Sequence, residues 1–432
     1  MHLLLSTRAV ALVFALLSLS TGVNAQQPAA PSSSGMRHGF SVQRLARIDS
    51  VFQRLVEQGE IAGAVTLVLR DGQPVYQRAF GWADREAGRR MAPDAIFRIA
   101  SQTKALTSVA IMMLTEEGKL TLNDPASRFI PTFRQTTVAV RTDTGRAIVP
   151  ARRAITIRDL LTHTAGISYG TDSLVAPLYA AKGLGRAAGF GWYTADKDEP
   201  ICHTMERLGT LPFVSQPGER YVYGYNTDIL GCVVERASGM PLEQFIRTRI
   251  TAPLRMNDTH FFLPPAKAPR LTAVYTRTPE GKLVRAPEGA RGQGHYVQGP
   301  RRSFAGGAGL VSTAQDYGRF LQMLLNRGEL DGVRILGPKT VDLITTNQVG
   351  TLFSQAGEGF SLAFRTMDRP GASGRVESVG TYGWGGAYGS EYLVDPEERL
   401  VLAFMIQELP NTARIGGRFP MLVYQALLQP RQ

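Results

Sequence analysis

Two short stretches of this 432-residue chain carry a serine in a setting that suits acyl-transfer chemistry. The first is Ser101-Gln102-Thr103-Lys104, an S-x-x-K at the head of the apolar run ALTSVAIMML. At a helix start, residues three apart are neighbours with Cβ atoms about 5–6 Å apart, so the amine can reach the hydroxyl. Burial in such a run strips solvation from a charged lysine, and a neutral amine can take the serine proton. Backbone N–H groups at the helix start would face the negative charge that develops in attack. The plainer alternative is an N-cap serine followed by a surface lysine. The second stretch is Gly166-Ile167-Ser168-Tyr169-Gly170, a G-x-S-x-G. A nucleophile elbow of that form needs a strand before it, then an acid and a histidine further along. The preceding ITIRDLLTHTAG has helical spacing and closes at Gly166, and His203, His260 and His295 stand in no suggestive setting. Ser168 is expected to make loop hydrogen bonds instead.

The elements around these stretches follow from periodicity. RIDSVFQRLVEQ, from Arg47, places Ile48, Val51, Phe52, Leu55 and Val56 on one helical face, ended by Gly59. The run AGAVTLVLRDGQPVYQRAFGWAD reads as two strands about an Asp71-Gly72 turn. Ser101 to Leu114 is apolar on almost every side, predicting a helix buried all round and stopped by Gly118. NTDILGCVVERASG predicts a helix closing at Gly239, and STAQDYGRFLQMLLNRG one capped by Thr313 with Asp316 three residues on. Toward the end GFSLAFRT, RVESVGTYGW, SEYLVD and RLVLAFMIQ look like strands, with FPMLVYQALL a final helix. Strands at both ends and helices between predict an α/β (α+β type) protein: an antiparallel sheet flanked by helices, with an inserted mainly helical lobe. The sheet lobe is expected from about 41–100 and 300–432, and the helical lobe from about 101–299, within one catalytic domain, 41–432.

Residues 1–25 read as a secretory signal peptide: Arg8, an apolar run from Ala9 to Leu19, and Val23-Asn24-Ala25 before the cut. Residues 26–40 read as a disordered linker, Pro/Ala/Ser-rich at first. The product is expected in the periplasm or outside the cell, with no permanent membrane span. Cys202 and Cys232 either pair there or stay as buried thiols. The net charge of +12 comes from scattered arginines without aromatic interleaving, so it suggests a solvated basic surface and no nucleic-acid partner. No spacing suggests a metal, nucleotide or other cofactor.

Two more stretches bear on Ser101. PGERYVYGYNTDILG brings tyrosines to a helix start, and YGWGGAYGSEYLVDP sets a Gly-rich kink against a strand. Together with IASQTK they resemble the serine β-lactamase and penicillin-binding-protein superfamily, in its class-C-type branch and closest to the family VIII carboxylesterases. The resemblance runs from about Val51 to Leu428 and includes LLTHTAG and GGAGLVSTAQDYGRFLQMLL. It implies a β-lactamase/transpeptidase-like fold with Ser101 as acylated nucleophile and Lys104 as its partner. Counting back from Asp228-Ile229-Leu230-Gly231 puts the proton-sharing tyrosine of that family at Tyr223. YGYN departs from the family's Y-x-N, so Tyr221 and Tyr225 remain alternatives, with Tyr225 also a substrate-binding candidate. Trp384-Gly385-Gly386 stands where β-lactamases carry K-T-G, and the Ala387 and Ser101 N–H groups would form the oxyanion hole. Lys339 in PKTV lacks the glycine and the strand setting. Trp192 and Tyr193 are candidate walls of an acyl pocket, and His163 a loop brace.

The expected activity is hydrolysis of small carboxylic esters through an acyl-enzyme, because an apolar Trp384 in place of lysine suits neutral substrates. A β-lactamase, a D-amino-acid peptidase or amidase, or an acyltransferase of the same fold are the alternatives, followed by a binding module without turnover. The expected partner is a small ester or amide. Oligomeric state is not legible.

Overall fold

The computed structural model describes residues 35–185, 194–289, 293–411 and 415–431. The expected signal segment, and Trp192 and Tyr193, lie outside them. At the start, Met36–Arg37 pairs with Phe40–Ser41, so the stretch expected as linker carries paired backbone at its end.

The centre of the fold is an eight-stranded antiparallel sheet. Its strands are β1 (Gly63–Arg70), β2 (Gln73–Asp84), β3 (Arg89–Arg90), β4 (Glu358–Phe360), β5 (Arg365–Met367), β6 (Tyr382–Gly385), β7 (Glu391–Asp395) and β8 (Leu400–Met405). They lie in the order β4-β5-β6-β7-β8-β1-β2-β3, so the first and last parts of the chain are joined where β8 pairs with β1. Asp71 and Gly72 both take positive φ, +52° and +76°, which the tight right-twisted turn between β1 and β2 requires. β8 is LVLAFM, apolar at every position, because both faces of the sheet are covered. Leu400, Leu402 and Phe404 face the helices α1 (Val42–Glu57) and α8 (Arg418–Tyr424), while Val401, Ala403 and Met405 join the larger core on the other side. Phe52 of α1 stacks on Phe80 at 5.2 Å and meets Phe404 at 5.4 Å. Truncating such a buried ring to alanine costs about 3–5 kcal/mol.

Across the other face lie α2 (Thr103–Glu116), α3 (Ile157–Leu161), α4 (Ala176–Ala181), α5 (Ile201–Leu208), α6 (Asn226–Ser238) and α7 (Ala314–Leu325). Every residue of α2 from Thr103 to Leu114 is buried, as its all-round apolar sequence demands. Gly239 closes α6 in the left-handed region, and the Thr313 side chain caps α7 by accepting from the Asp316 N–H. A disulfide joins Cys202 of α5 to Cys232 of α6. Among the described residues no helix is long and apolar enough to cross a membrane.

Some elements differ from expectation. The helix expected to close at Gly166 ends at Leu161: a Thr156/Asp159 capping box starts it, and His163 at φ +56° turns the chain out of it. GFSLAFRT is two strands, because Ser361 Oγ accepts from the N–H groups of Ala363 and Phe364 and folds the chain back. RVESVGTYGW is strand only from Tyr382. The hairpin of Thr137–Thr142 with Gly145–Pro150 is an addition within the mostly helical part.

Candidate active site

Ser101 lies in a short 3-10 turn, Ala100–Gln102, that leads into α2. Ala100 just before it is fully buried with φ +47°, a left-handed conformation uncommon for a residue with a side chain. The turn leaves Ser101 partly exposed, while all that follows to Leu114 is buried. One turn on, Lys104 is 4% exposed, and its Nζ lies 3.2 Å from Ser101 Oγ. The same amine donates to the Gly307 carbonyl at 2.7 Å and contacts the Tyr169 hydroxyl at 3.0 Å.

Tyr169 is the residue the sequence reading missed. It belongs to the G-x-S-x-G stretch, whose structure excludes an elbow. Ser168 is buried, its Oγ accepting from the Gly170 N–H at 3.2 Å, and the segment before it is loop. The glycines there serve packing. A Cβ on Gly166 would stand 2.0 Å from the Ser215 carbonyl, and one on Gly170 2.7 Å from the Tyr179 ring. Gly224, between the two candidate tyrosines, presses on the same loop, its Cβ position 2.1 Å from the Ile167 carbonyl. The glycine lets the 223–225 turn lie directly on the 167–169 backbone. The only signal for Tyr169 in the sequence was its place beside a serine that looked catalytic.

Tyr223 is half-buried, and Lys104 Nζ stands 4.7 Å from the centre of its ring. Its hydroxyl accepts from the Trp384 indole N–H at 3.2 Å. Tyr225 is fully buried beneath Tyr169, ring centres 5.0 Å apart, and so has no surface to offer a substrate, against the substrate-binding expectation. Tyr221 packs with Phe353 and Phe360 away from the amine, and burial, then its neighbour Tyr223, hold its hydroxyl far above the ordinary tyrosine range. Asn226 donates to His163 Nδ1 at 2.9 Å and to the Ile167 and Val222 carbonyls, so it ties loops together. The His163 carbonyl receives the Val222 N–H, and its ring sits 4.7 Å from that of Tyr223. Burial, reinforced by the nearby Lys104 charge, pushes the imidazole well below the ordinary histidine range. It is a neutral brace.

The end of β6 closes the other wall. Trp384 is half-buried between Tyr223 and Phe360. Gly386 lies so close to the Ile99 carbonyl that a Cβ would be 2.6 Å away, which sets the strand end against the Ser101 turn. Ala387, next along, is exposed. Gly385 pairs across the sheet with Glu391. Lys339 of PKTV sits in the helix Pro338–Thr345, exposed and paired with Asp342. The arrangement can transfer a proton from a hydroxyl to an amine, and from the amine to a phenol, beside a backbone edge.

A family model described as Beta-lactamase matches residues 48–422. An uncharacterized protein of Mycobacterium tuberculosis, MT1414, is 36% identical, the match covering 88% of this chain and 95% of that protein. Esterase EstB of Burkholderia gladioli is 33% identical, covering 88% of this chain and 93% of the esterase. Among solved structures, EstCE1, described as a hydrolase with promiscuous acyltransferase activity, superposes with a TM-score of 0.74 at 26% identity, over 89% of this chain and 99% of its own.

Proposed function

The chain belongs to the Beta-lactamase family and is a serine hydrolase, and from that premise we propose that it cleaves small neutral carboxylic esters through an acyl-enzyme on Ser101. The observation that carries this reading is the 3.2 Å contact of Lys104 Nζ with the hydroxyl of the one partly exposed residue in its turn. Ser101 Oγ attacks the ester carbonyl carbon, and its proton passes to the Lys104 amine. The carbonyl electron pair moves to oxygen, where the Ser101 and Ala387 N–H groups stabilise it. Collapse breaks the bond to the alkoxide, which leaves as the alcohol after taking the proton. Tyr223 is assigned to that delivery, and Tyr169, 3.0 Å from the same amine, is a second hydroxyl for the relay. Water then attacks the acyl carbon, gives its proton to the same group, and releases the acid with Ser101 restored.

Trp384 favours neutral esters over anionic β-lactams: the position that would hold a carboxylate-binding cation presents an indole whose N–H is already given to Tyr223. The name of esterase EstB supports the same substrate class. We also place the protein outside the cytoplasm, on the signal-like residues 1–25 and the Cys202–Cys232 disulfide, since disulfides persist in oxidising compartments. A mass measurement of the exported protein starting at Gln26 would support this, and retention of Met1 would overturn it.

The deciding experiment compares a short-chain chromogenic ester with a chromogenic cephalosporin, using wild type and Ser101→Ala. Ester turnover that vanishes in the variant, with little cephalosporin cleavage, supports the proposal. Cephalosporin cleavage that exceeds ester turnover would favour a β-lactamase. The EstCE1 description favours acyl transfer as a second reading, tested by whether an added alcohol diverts product from acid to new ester.

A further inference from the structure

Gly307 links two buried groups. Its carbonyl accepts from Lys104 Nζ at 2.7 Å, and its N–H donates to Asp228 Oδ1 at 3.2 Å. Thr194 Oγ1 donates to the same Asp228 oxygen at 3.0 Å. Asp228 is 2% exposed and sits in the first turn of α6, where the free N–H groups favour a carboxylate. A Cβ on Gly307 would stand 2.5 Å from Asp228 Oδ2, and one on Gly306 would stand 2.6 Å from the Thr227 carbonyl, so only glycines allow this approach. Burial pushes the Asp228 carboxyl up, while the Lys104 charge and the bonds from Thr194 and Gly307 pull it down.

We propose that Asp228 is a positioning residue for the acyl-transfer centre, fixing the Gly307 carbonyl that holds Lys104. The proposal rests on Lys104 being the proton acceptor for Ser101. The groups that face the amine are Ser101 on its own helix start, His163 and Tyr169 from the segment after α3, and Tyr223 from the turn before α6.

The test is kcat and KM on the chromogenic ester for wild type, Asp228→Asn, Asp228→Ala and Thr194→Val. Asparagine keeps an oxygen for both donors, and its kcat should stay within about threefold of wild type. Alanine removes the acceptor, and kcat should fall by roughly tenfold or more with KM little changed. Thr194→Val removes one of the two donors to Asp228 and should lower kcat by less. A wild-type kcat in Asp228→Ala, or an equal loss in Asp228→Asn and Asp228→Ala, overturns the proposal. Should Asp228→Ala fail to give a cooperative melt, an unchanged kcat in Thr194→Val overturns it. Ester turnover surviving in Ser101→Ala removes the premise itself, a failure distinct from an unchanged kcat in the Asp228 variants.

Discussion

The turn at Ser101 and the loop at Ser168 both present a serine in a hydrolase-like string, and the structure treats them in opposite ways. Ser101 is partly exposed on a turn whose first residue, Ala100, holds a left-handed conformation, with an amine 3.2 Å away. Ser168 is buried in a loop and bonded to the backbone two residues on. On the proposed function, what separates the nucleophile from the structural hydroxyl is access and an amine within reach. The losing loop still serves the winning one: its glycines allow the backbone packing that brings the Tyr169 hydroxyl to Lys104.

The contrast can be broken or sharpened by substitution. Ser101→Ala should lower ester kcat by about 10⁴-fold or more, and a loss under about tenfold, measured on the purified variant, would erase the distinction. Tyr169→Phe should lower kcat by about 10²-fold with the melt unchanged, because it removes a relay hydroxyl and keeps the ring on Tyr225. An equal or larger loss in Tyr223→Phe alone, with Tyr169→Phe silent, would return the role wholly to Tyr223. Gly166→Ala should destabilise by about 2–4 kcal/mol in denaturant melts, from its φ of +79° and the clash with Ser215. Ser168→Ala should destabilise by about 1–3 kcal/mol, because the buried Gly170 N–H loses its acceptor, and should leave turnover near wild type.

Where local sequence carries its own stop signals, the fold could be read directly. Asp71-Gly72, Gly239 and the Thr313 cap each fix a boundary by backbone conformation or a side-chain bond within a few residues. The Ser101–Lys104 pair was legible for the same reason, since one helical turn sets it. The early end of α3 and the fold-back at Ser361 depend on single residues whose alternatives, helix or strand, fit the apolar pattern equally well. Tyr169 was illegible in a stronger sense. Its contact with Lys104 spans from one loop to a helix start far away in the chain, and it exists because Gly224 and Gly170 admit close packing that no periodicity encodes.

The disulfide between Cys202 and Cys232 makes a closed ring of the chain that contains Tyr221, Tyr223, Tyr225 and Asn226. A single cut by a protease anywhere inside that ring leaves two pieces that cannot separate. Such a nicked molecule runs as one band on a denaturing gel without reductant and as two with it. An exposed bond near Gly218 to Arg220 is a place where such a cut can fall. The pieces then stay at each other's high local concentration, so the tyrosine turn can remain docked on its loop after the backbone has been broken.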